Sequence, residues 1–266
     1  MPCANVNGID INYEIMGEGP KLLFINGIGA DLKNPVGAKN SPLPKRFTVL
    51  AFDPRGLGES GSTAEPYGIA DLADDAACLA AAVGWEHYHV LGASMGGMVA
   101  QELAIRHPGA VDKLVLCVTH EGGANSGAPA VIDKMDQMSV LEVLKLSDSR
   151  QDEAWAAANP EKVRMFEERY SAALKARQAD PVQNEGYLRQ VAAVLKHDTS
   201  DRLSKIKAPT LILGGVYDSS CPPEAIRRLA AKIPGSHYEL VESGHGSWYF
   251  DSNAWELITG FLLMGR

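Results

Sequence analysis

The sequence predicts an α/β fold with a mixed, mostly parallel central sheet and one helical insertion. Three observations support this. Short β-rich runs alternate with longer helical patterns, as in βαβ units. One early segment alternates apolar with polar residues instead. Finally, residues 122–196 carry helical spacing with no convincing strand. A chain of 266 residues with 45% hydrophobic content is long enough for one α/β domain with a full core.

In chain order, Ile9 to Ile15 places Ile9, Ile11, Tyr13 and Ile15 on one face, which suits an antiparallel strand near the sheet edge. Leu22–Ile25, Phe47–Phe52, Tyr88–Leu91, Leu114–Val118 and Thr210–Leu213 are apolar runs of buried-strand length, and His237–Val241 is strand-like. Helical patterns occupy Ile69–Val83, Met95–Arg106, Pro223–Lys232 and Asn253–Leu263. The second ends at His107-Pro108-Gly109, where proline cannot continue the helix. The insertion starts with a loop rich in Gly, Ala, Ser and Pro (Gly122 to Pro129). It continues with Met135, Met138, Leu141 and Leu144, then Trp155, then Met165, Phe166 and Tyr170 at helical spacing. The expected organisation is a core of residues 1–121 and 197–266 with a helical cap at 122–196.

Composition narrows the partners. With 25 basic and 33 acidic residues the formal charge is -8, and no Lys/Arg run could follow a phosphate backbone, so nucleic acid is not expected. No apolar run approaches the roughly 18 residues of a membrane span, and the N-terminal residues lack the pattern of a secretory signal. A cytoplasmic protein is expected. Cys3, Cys78, Cys117 and Cys221 are scattered without C-x-x-C spacing, which predicts reduced thiols and no zinc site. Cys117 lies in an apolar run and is expected in the core; Cys221 lies near a candidate acid.

The chemistry starts at Gly92-Ala93-Ser94-Met95-Gly96, which follows a strand and opens a helix, the context that G-x-S-x-G requires. Flanking glycines allow the tight turn that would project Ser94 above the sheet. A serine hydroxyl is a weak nucleophile and needs a base within hydrogen-bond reach. His245, in Ser243-Gly244-His245-Gly246 between the last strand and the last helix, has the setting for it; His87, His89, His107, His197 and His237 are read as ordinary surface or core histidines. Asp218, just after the strand at Thr210–Leu213, would fix the imidazole tautomer. Glu121 competes for this role, because it follows the Leu114–Val118 strand at the same sheet edge; otherwise it contacts substrate or caps a helix.

The order Ser94, Asp218, His245, together with Asp53-Pro54-Arg55-Gly56-Leu57-Gly58-Glu59-Ser60 as a D-x-R-G-x-G-x-S turn, resembles the α/β-hydrolase superfamily over nearly the whole chain outside the insertion. The resemblance implies the α/β-hydrolase fold: a mostly parallel central sheet flanked by helices, with a helical cap inserted after the sixth strand. Asp53 and Arg55 would brace their glycine-rich turn. Asn26-Gly27-Ile28-Gly29 resembles the H-G-x-G oxyanion loop, with Asn26 replacing histidine, so the amides of Ile28 and Met95 would form the oxyanion hole. The string Asn26 to Ala30 is also similar to that of intracellular medium-chain polyhydroxyalkanoate depolymerases. Fungal zearalenone-type lactonases, which place the acid after the earlier strand, keep Glu121 in view.

The implied activity is that of a cofactor-free serine hydrolase cleaving an ester or lactone of a small, largely apolar substrate through an acyl-enzyme. No metal or organic cofactor is called for. Met138 and Trp155 of the cap are the expected substrate contacts. Carbon–carbon bond hydrolysis or perhydrolysis on the same triad, and a slow-turnover small-molecule receptor, are the alternatives. Oligomeric state is open.

Overall fold

The computed structural model describes residues 2–124 and 131–265. Most of the predicted Gly122–Pro129 loop therefore lies outside the described residues. The sheet has eight strands among them: β1 (Cys3–Val6), β2 (Ile9–Met16), β3 (Lys21–Ile25), β4 (Thr48–Phe52), β5 (Tyr88–Ala93), β6 (Val111–Cys117), β7 (Thr210–Gly215) and β8 (His237–Val241). Their order is β1-β2-β4-β3-β5-β6-β7-β8. The β1/β2 and β2/β4 pairs are antiparallel, and the others are parallel. The sheet is thus mixed at one end, as the alternating pattern of Ile9–Ile15 predicts.

β1 is the element missing from the sequence reading. Four residues broken by the polar Asn5 give little periodicity, but Asn7-Gly8 is a two-residue hairpin signal. Both residues have positive φ (50° and 76°), as a type I′ turn requires.

The period of two along each strand divides the core between two faces. Leu23 and Ile25 of β3 pack with α1 (Ile69–Ala82), α2 (Met95–Arg106) and α7 (Pro223–Lys232) through Leu79, Val99, Leu103 and Ile226. Leu22 and Phe24 face the other way, toward Trp255, Ile258 and Leu262 of α8 (Ser252–Leu263). Helices thus cover both faces, which is why β3, β5, β6 and β7 are apolar on both sides.

Among the described residues between β6 and β7 lie a 3-10 segment (Ile132–Gln137), four helices, α3 (Val140–Ser147), α4 (Glu153–Ala158), α5 (Pro160–Ala179) and α6 (Pro181–Lys196), and a second 3-10 segment (Leu203–Lys205). Side chains at their starts satisfy orphan amides: Ser139 forms a capping box with Glu142, Asp152 accepts from Trp155 N, and Asp180 accepts from Val182 N and Gln183 N. α6 binds the core at the Asp53–Ser60 turn. Gln183 accepts from Gly58 N and donates to Gly58 O (both 2.9 Å). One turn on, Gly186 is so close to Gly56 that a Cβ there would lie 2.1 Å from Gly56 O. No helix among the described residues is long and apolar enough to cross a membrane.

The turn at Asp53–Ser60 is braced by buried charge. Asp53 accepts from Asn12 Nδ2 (2.7 Å), Leu32 N (2.6 Å) and Glu59 N (2.9 Å). Arg55 pairs with Asp75 of α1 through two bonds of 2.6 and 2.5 Å, both side chains buried. Removing one partner of a buried pair strands the other charge. Asp75→Asn is therefore expected to lower stability by about 3–5 kcal/mol, read as a shift of the urea midpoint. The Arg55→Leu/Asp75→Leu double variant should recover part of the loss, and a single-variant change under about 1 kcal/mol would contradict this account.

Candidate active site

Ser94 sits between the end of β5 and the first turn of α2, at φ 55° and ψ -121°. A non-glycine residue there is strained. Several contacts hold it in place. Ser94 N donates to Cys117 O (2.9 Å), the amides of Gly97 and Met98 donate to Ser94 O, and Thr119 Oγ1 donates to the same carbonyl at 2.8 Å. The turn closes this tightly because its neighbours lack side chains: a Cβ on Gly96 would lie 2.2 Å from Ile25 O.

His245 follows β8, and its backbone amide donates to Ser147 O at the end of α3 (2.6 Å). Its Nε2 lies 3.0 Å from Ser94 Oγ and its Nδ1 2.8 Å from Asp218 Oδ2. Asp218, on the loop after β7, is buried and accepts from the amides of Ser220 and Cys221 through Oδ1 (both 2.8 Å). An ionised carboxylate facing Nδ1 accepts a hydrogen bond from Nδ1–H, which keeps the ring proton on that nitrogen and leaves Nε2 as the acceptor facing the serine hydroxyl. Burial alone would lower the His245 pKa, but the charge of Asp218 and its hydrogen bond outweigh this, and the net shift is upward. Ser94, His245 and Asp218 are therefore one hydrogen-bonded row.

Glu121 is not part of that row. It is buried, with Oε1 3.3 Å from Lys232 Nζ and 3.7 Å from Arg228 Nε of α7. Its carbonyl accepts from Thr199 N and Thr199 Oγ1. The structure thus brings Asp218, and not Glu121, to His245, and Glu121 does not line the cleft.

Ser94 and His245 open into a cavity of about 630 Å³ lined by Ile28, Met95, Met98, Met135, Val194 and Leu195 among others. None of its described lining residues is an Asp, Glu, Lys or Arg. Gly27 packs against the elbow, with a Cβ position 3.5 Å from Ser94 Cβ. The next amide but one, Gly29 N, donates to Gln190 Oε1 of α6 (2.8 Å).

Met138 and Trp155, the expected substrate contacts, are not among the described residues that line this cavity. Met138 lies just past the 3-10 segment with extended backbone (φ -73°, ψ 144°), so it leaves the face that Met135 presents to the cleft. Trp155 on α4 lies beside Lys162 of α5, with Nζ 5.9 Å from the ring. Cys117 is fully buried, as predicted; Cys221 lines the cleft, buried enough that its thiol pKa is raised well above the usual value. His120 and Gln190 escape the sequence reading, and His197 is read there only as an ordinary histidine; no local motif marks any of the three, and the partner of Gln190 is 161 positions away.

The family described as alpha/beta hydrolase fold matches residues 20–252. The chain is 30% identical over 235 residues to a poly(3-hydroxyalkanoate) depolymerase of Ectopseudomonas oleovorans, covering 84% of this chain and 77% of that one. It is 28% identical over 254 residues to a putative carbamate hydrolase, RutD, of Azorhizobium caulinodans, covering 92% and 91% of the two chains. Among solved structures, the enol-lactonase from Burkholderia xenovorans aligns with a TM-score of 0.76 at 26% identity, over 98% of this chain and 99% of that one.

The opposing influences on His245 make a separable prediction. Titrated by NMR, its imidazole should protonate above the ordinary value of 6.5. In Asp218→Asn the charge is gone while burial remains, so the pKa should fall below that value. A titration unmoved by the substitution would contradict the carboxylate's role in setting it.

Proposed function

The chain belongs to the α/β-hydrolase fold family, and from that premise we propose that it is a cofactor-free serine hydrolase cleaving a small, largely apolar ester or lactone. The unbroken row Ser94–His245–Asp218, at 3.0 and 2.8 Å and opening into an apolar cleft, carries this reading. Two similar proteins support the bond type by name, one a poly(3-hydroxyalkanoate) depolymerase and the other an enol-lactonase.

In this reading Ser94 Oγ attacks the carbonyl carbon while His245 Nε2 takes its proton, and Asp218 stabilises the imidazolium. The amides of Met95 and Ile28 bind the oxyanion. As the tetrahedral species collapses, the carbon–oxygen bond to the alcohol breaks and His245 returns the proton to it. Water then attacks the acyl-enzyme by the same steps, releasing the acid and restoring Ser94. Residues 122–196 act as the cap, with Met135, Leu146, Val194 and Leu195 supplying apolar surface over the serine. A cytoplasmic location is part of this reading.

Asn26 in place of histidine leaves the oxyanion loop to be held by other means, and Gln190 supplies one. Its side-chain carbonyl accepts from Gly29 N, which fixes the peptide beside Ile28 and keeps that amide from competing for the substrate oxygen. Gln190 is a positioning residue, acting through the loop.

Ser94→Ala should cut turnover by on the order of 10³-fold or more with the fold intact. A fluorophosphonate should label Ser94 in the parent protein, and sustained turnover should appear on simple esters and lactones. Labelling of another serine, or cleavage of a vinylogous diketone with no ester turnover, would overturn the assignment; a stoichiometric burst without turnover would point to a receptor.

Gln190→Met should lower kcat by about tenfold with KM within about threefold, since the loss falls on oxyanion stabilisation. Gln190→Glu keeps an acceptor for Gly29 N and should retain more of kcat. Parallel losses in both variants that track melting temperature would reduce Gln190 to a packing role.

A further inference from the structure

The cleft holds a second polar feature that the proposed reaction does not use. His120 lies just past β6, where Val118 at φ 44° turns the chain, and His197 lies just past α6; both line the cavity that contains Ser94. The Gly122–Gly123 turn ties them together. Gly122 N donates to His120 Nδ1 (3.0 Å), and Gly123 N donates to His197 O (2.9 Å).

Each ring has a definable state. Burial pushes the His120 pKa down to about 4, with nearby His245 adding to the effect, and pushes that of His197 down to about 3. Both are neutral near pH 7. Because His120 Nδ1 accepts a hydrogen bond, its proton resides on Nε2, which is left as a donor. His197 is 5% exposed, and its Nε2 is buried without a hydrogen-bond partner. Orphaned buried polar atoms are uncommon, and because this one belongs to a residue of the cavity wall, a small movement of the ring would bring it to a ligand that completes it.

Resting on the serine-hydrolase reading, we propose that His120 and His197 form a polar subsite that binds an uncharged oxygen of the substrate, a ketone or ether oxygen outside the scissile ester. The donor on His120 suits an oxygen acceptor. With no Lys or Arg among the described lining residues, nothing there compensates a carboxylate. Apolar neighbours such as Met98, Val118 and Val194 favour the hydrocarbon on either side of that oxygen. The substrate class is thereby narrowed to oxygen-bearing, uncharged aliphatic esters or lactones.

The test is a panel of hexyl hexanoates in which one ketone oxygen is moved in turn along the acyl and alkyl chains, plus one carboxylate-bearing analogue, followed by pH-stat. The parent protein should favour at least one ketone position over plain hexyl hexanoate by about tenfold or more in kcat/KM, and should not favour the carboxylate. That ratio should fall toward one in His120→Phe and in His197→Leu, and His120→Gln, which keeps a donor, should hold part of it. Using the ratio removes any common effect of substitution on catalysis or folding. Plain hexyl hexanoate turned over with no favoured ketone position, a preference that survives both apolar substitutions, or a preferred carboxylate would overturn the subsite. Failure to turn over any ester, with Ser94 unlabelled, would instead sink the serine-hydrolase reading beneath it.

Discussion

Holding a serine at φ 55° and ψ -121° between a strand and a helix is the constraint on which the site depends. Such a conformation costs on the order of 1–3 kcal/mol and persists only where the surroundings over-determine it. Here the peptide on each side of Ser94 is tied to the next strand, through Cys117 O and Thr119 Oγ1, and α2 lies so close to β3 that Gly96 touches Ile25 O. Leu91 and Val90 pack the end of β5 into opposite faces of the core. The strain at one residue is therefore offset by burial distributed over the sheet. The site inherits its rigidity from hydrophobic packing.

The helical insertion enters this arrangement as a structural member. At its end, α6 reaches the core through Gln183 at Gly58, Gly186 at Gly56 and Gln190 at Gly29, positions spaced so that one helix face carries all three. At the end of α3, Ser147 O accepts from the amide of His245, and a Cβ on Gly244 would lie 2.3 Å from that same carbonyl. The insertion thus touches both the loop that bears the histidine and the loop beside the serine. A displacement of α6 would be felt at Gly29 before it was felt in the sheet. The α4 and α5 helices have no buried residue and carry no such ties to the described core, so any adjustment of the cavity mouth falls more easily on them.

How far the sequence discloses all this follows from the range of each interaction. Ser94 is legible because a strand, a tight turn and a helix are consecutive in the chain, and α2 and α7 begin and end at the residues their apolar spacing and prolines mark. The acid is less legible: Asp218 and Glu121 both follow strands at the same edge, and only the fold shows that one faces His245 while the other turns toward Lys232. Met135 and Met138 share a face in an α-helix, but the chain becomes extended at Met138, so helical spacing alone does not tell that Met135 is the one on the cavity wall. Gln190 and His197 could not be found by pattern, since what distinguishes them is a distant amide in one case and a missing partner in the other.

Two of the cleft histidines, His120 and His245, show how a single partner at Nδ1 sets an imidazole's chemistry. Both are pulled toward neutrality by burial, yet their pKa values move in opposite directions. At His245 the partner is a carboxylate, which accepts a hydrogen bond from Nδ1–H, favours the charged ring and leaves Nε2 able to take a proton. At His120 the partner is a backbone amide, a donor, which occupies Nδ1, favours the neutral ring and places the proton on Nε2. The tautomers are therefore opposite, and so are the capacities: one ring has its pKa raised by the carboxylate and can take a proton at Nε2, while the other stays an uncharged donor. Exchanging the residues' identities would change nothing, since both are histidine; exchanging the partners would exchange the roles. Function in this cleft is written in the loops after β6 and β7, which decide what each Nδ1 meets.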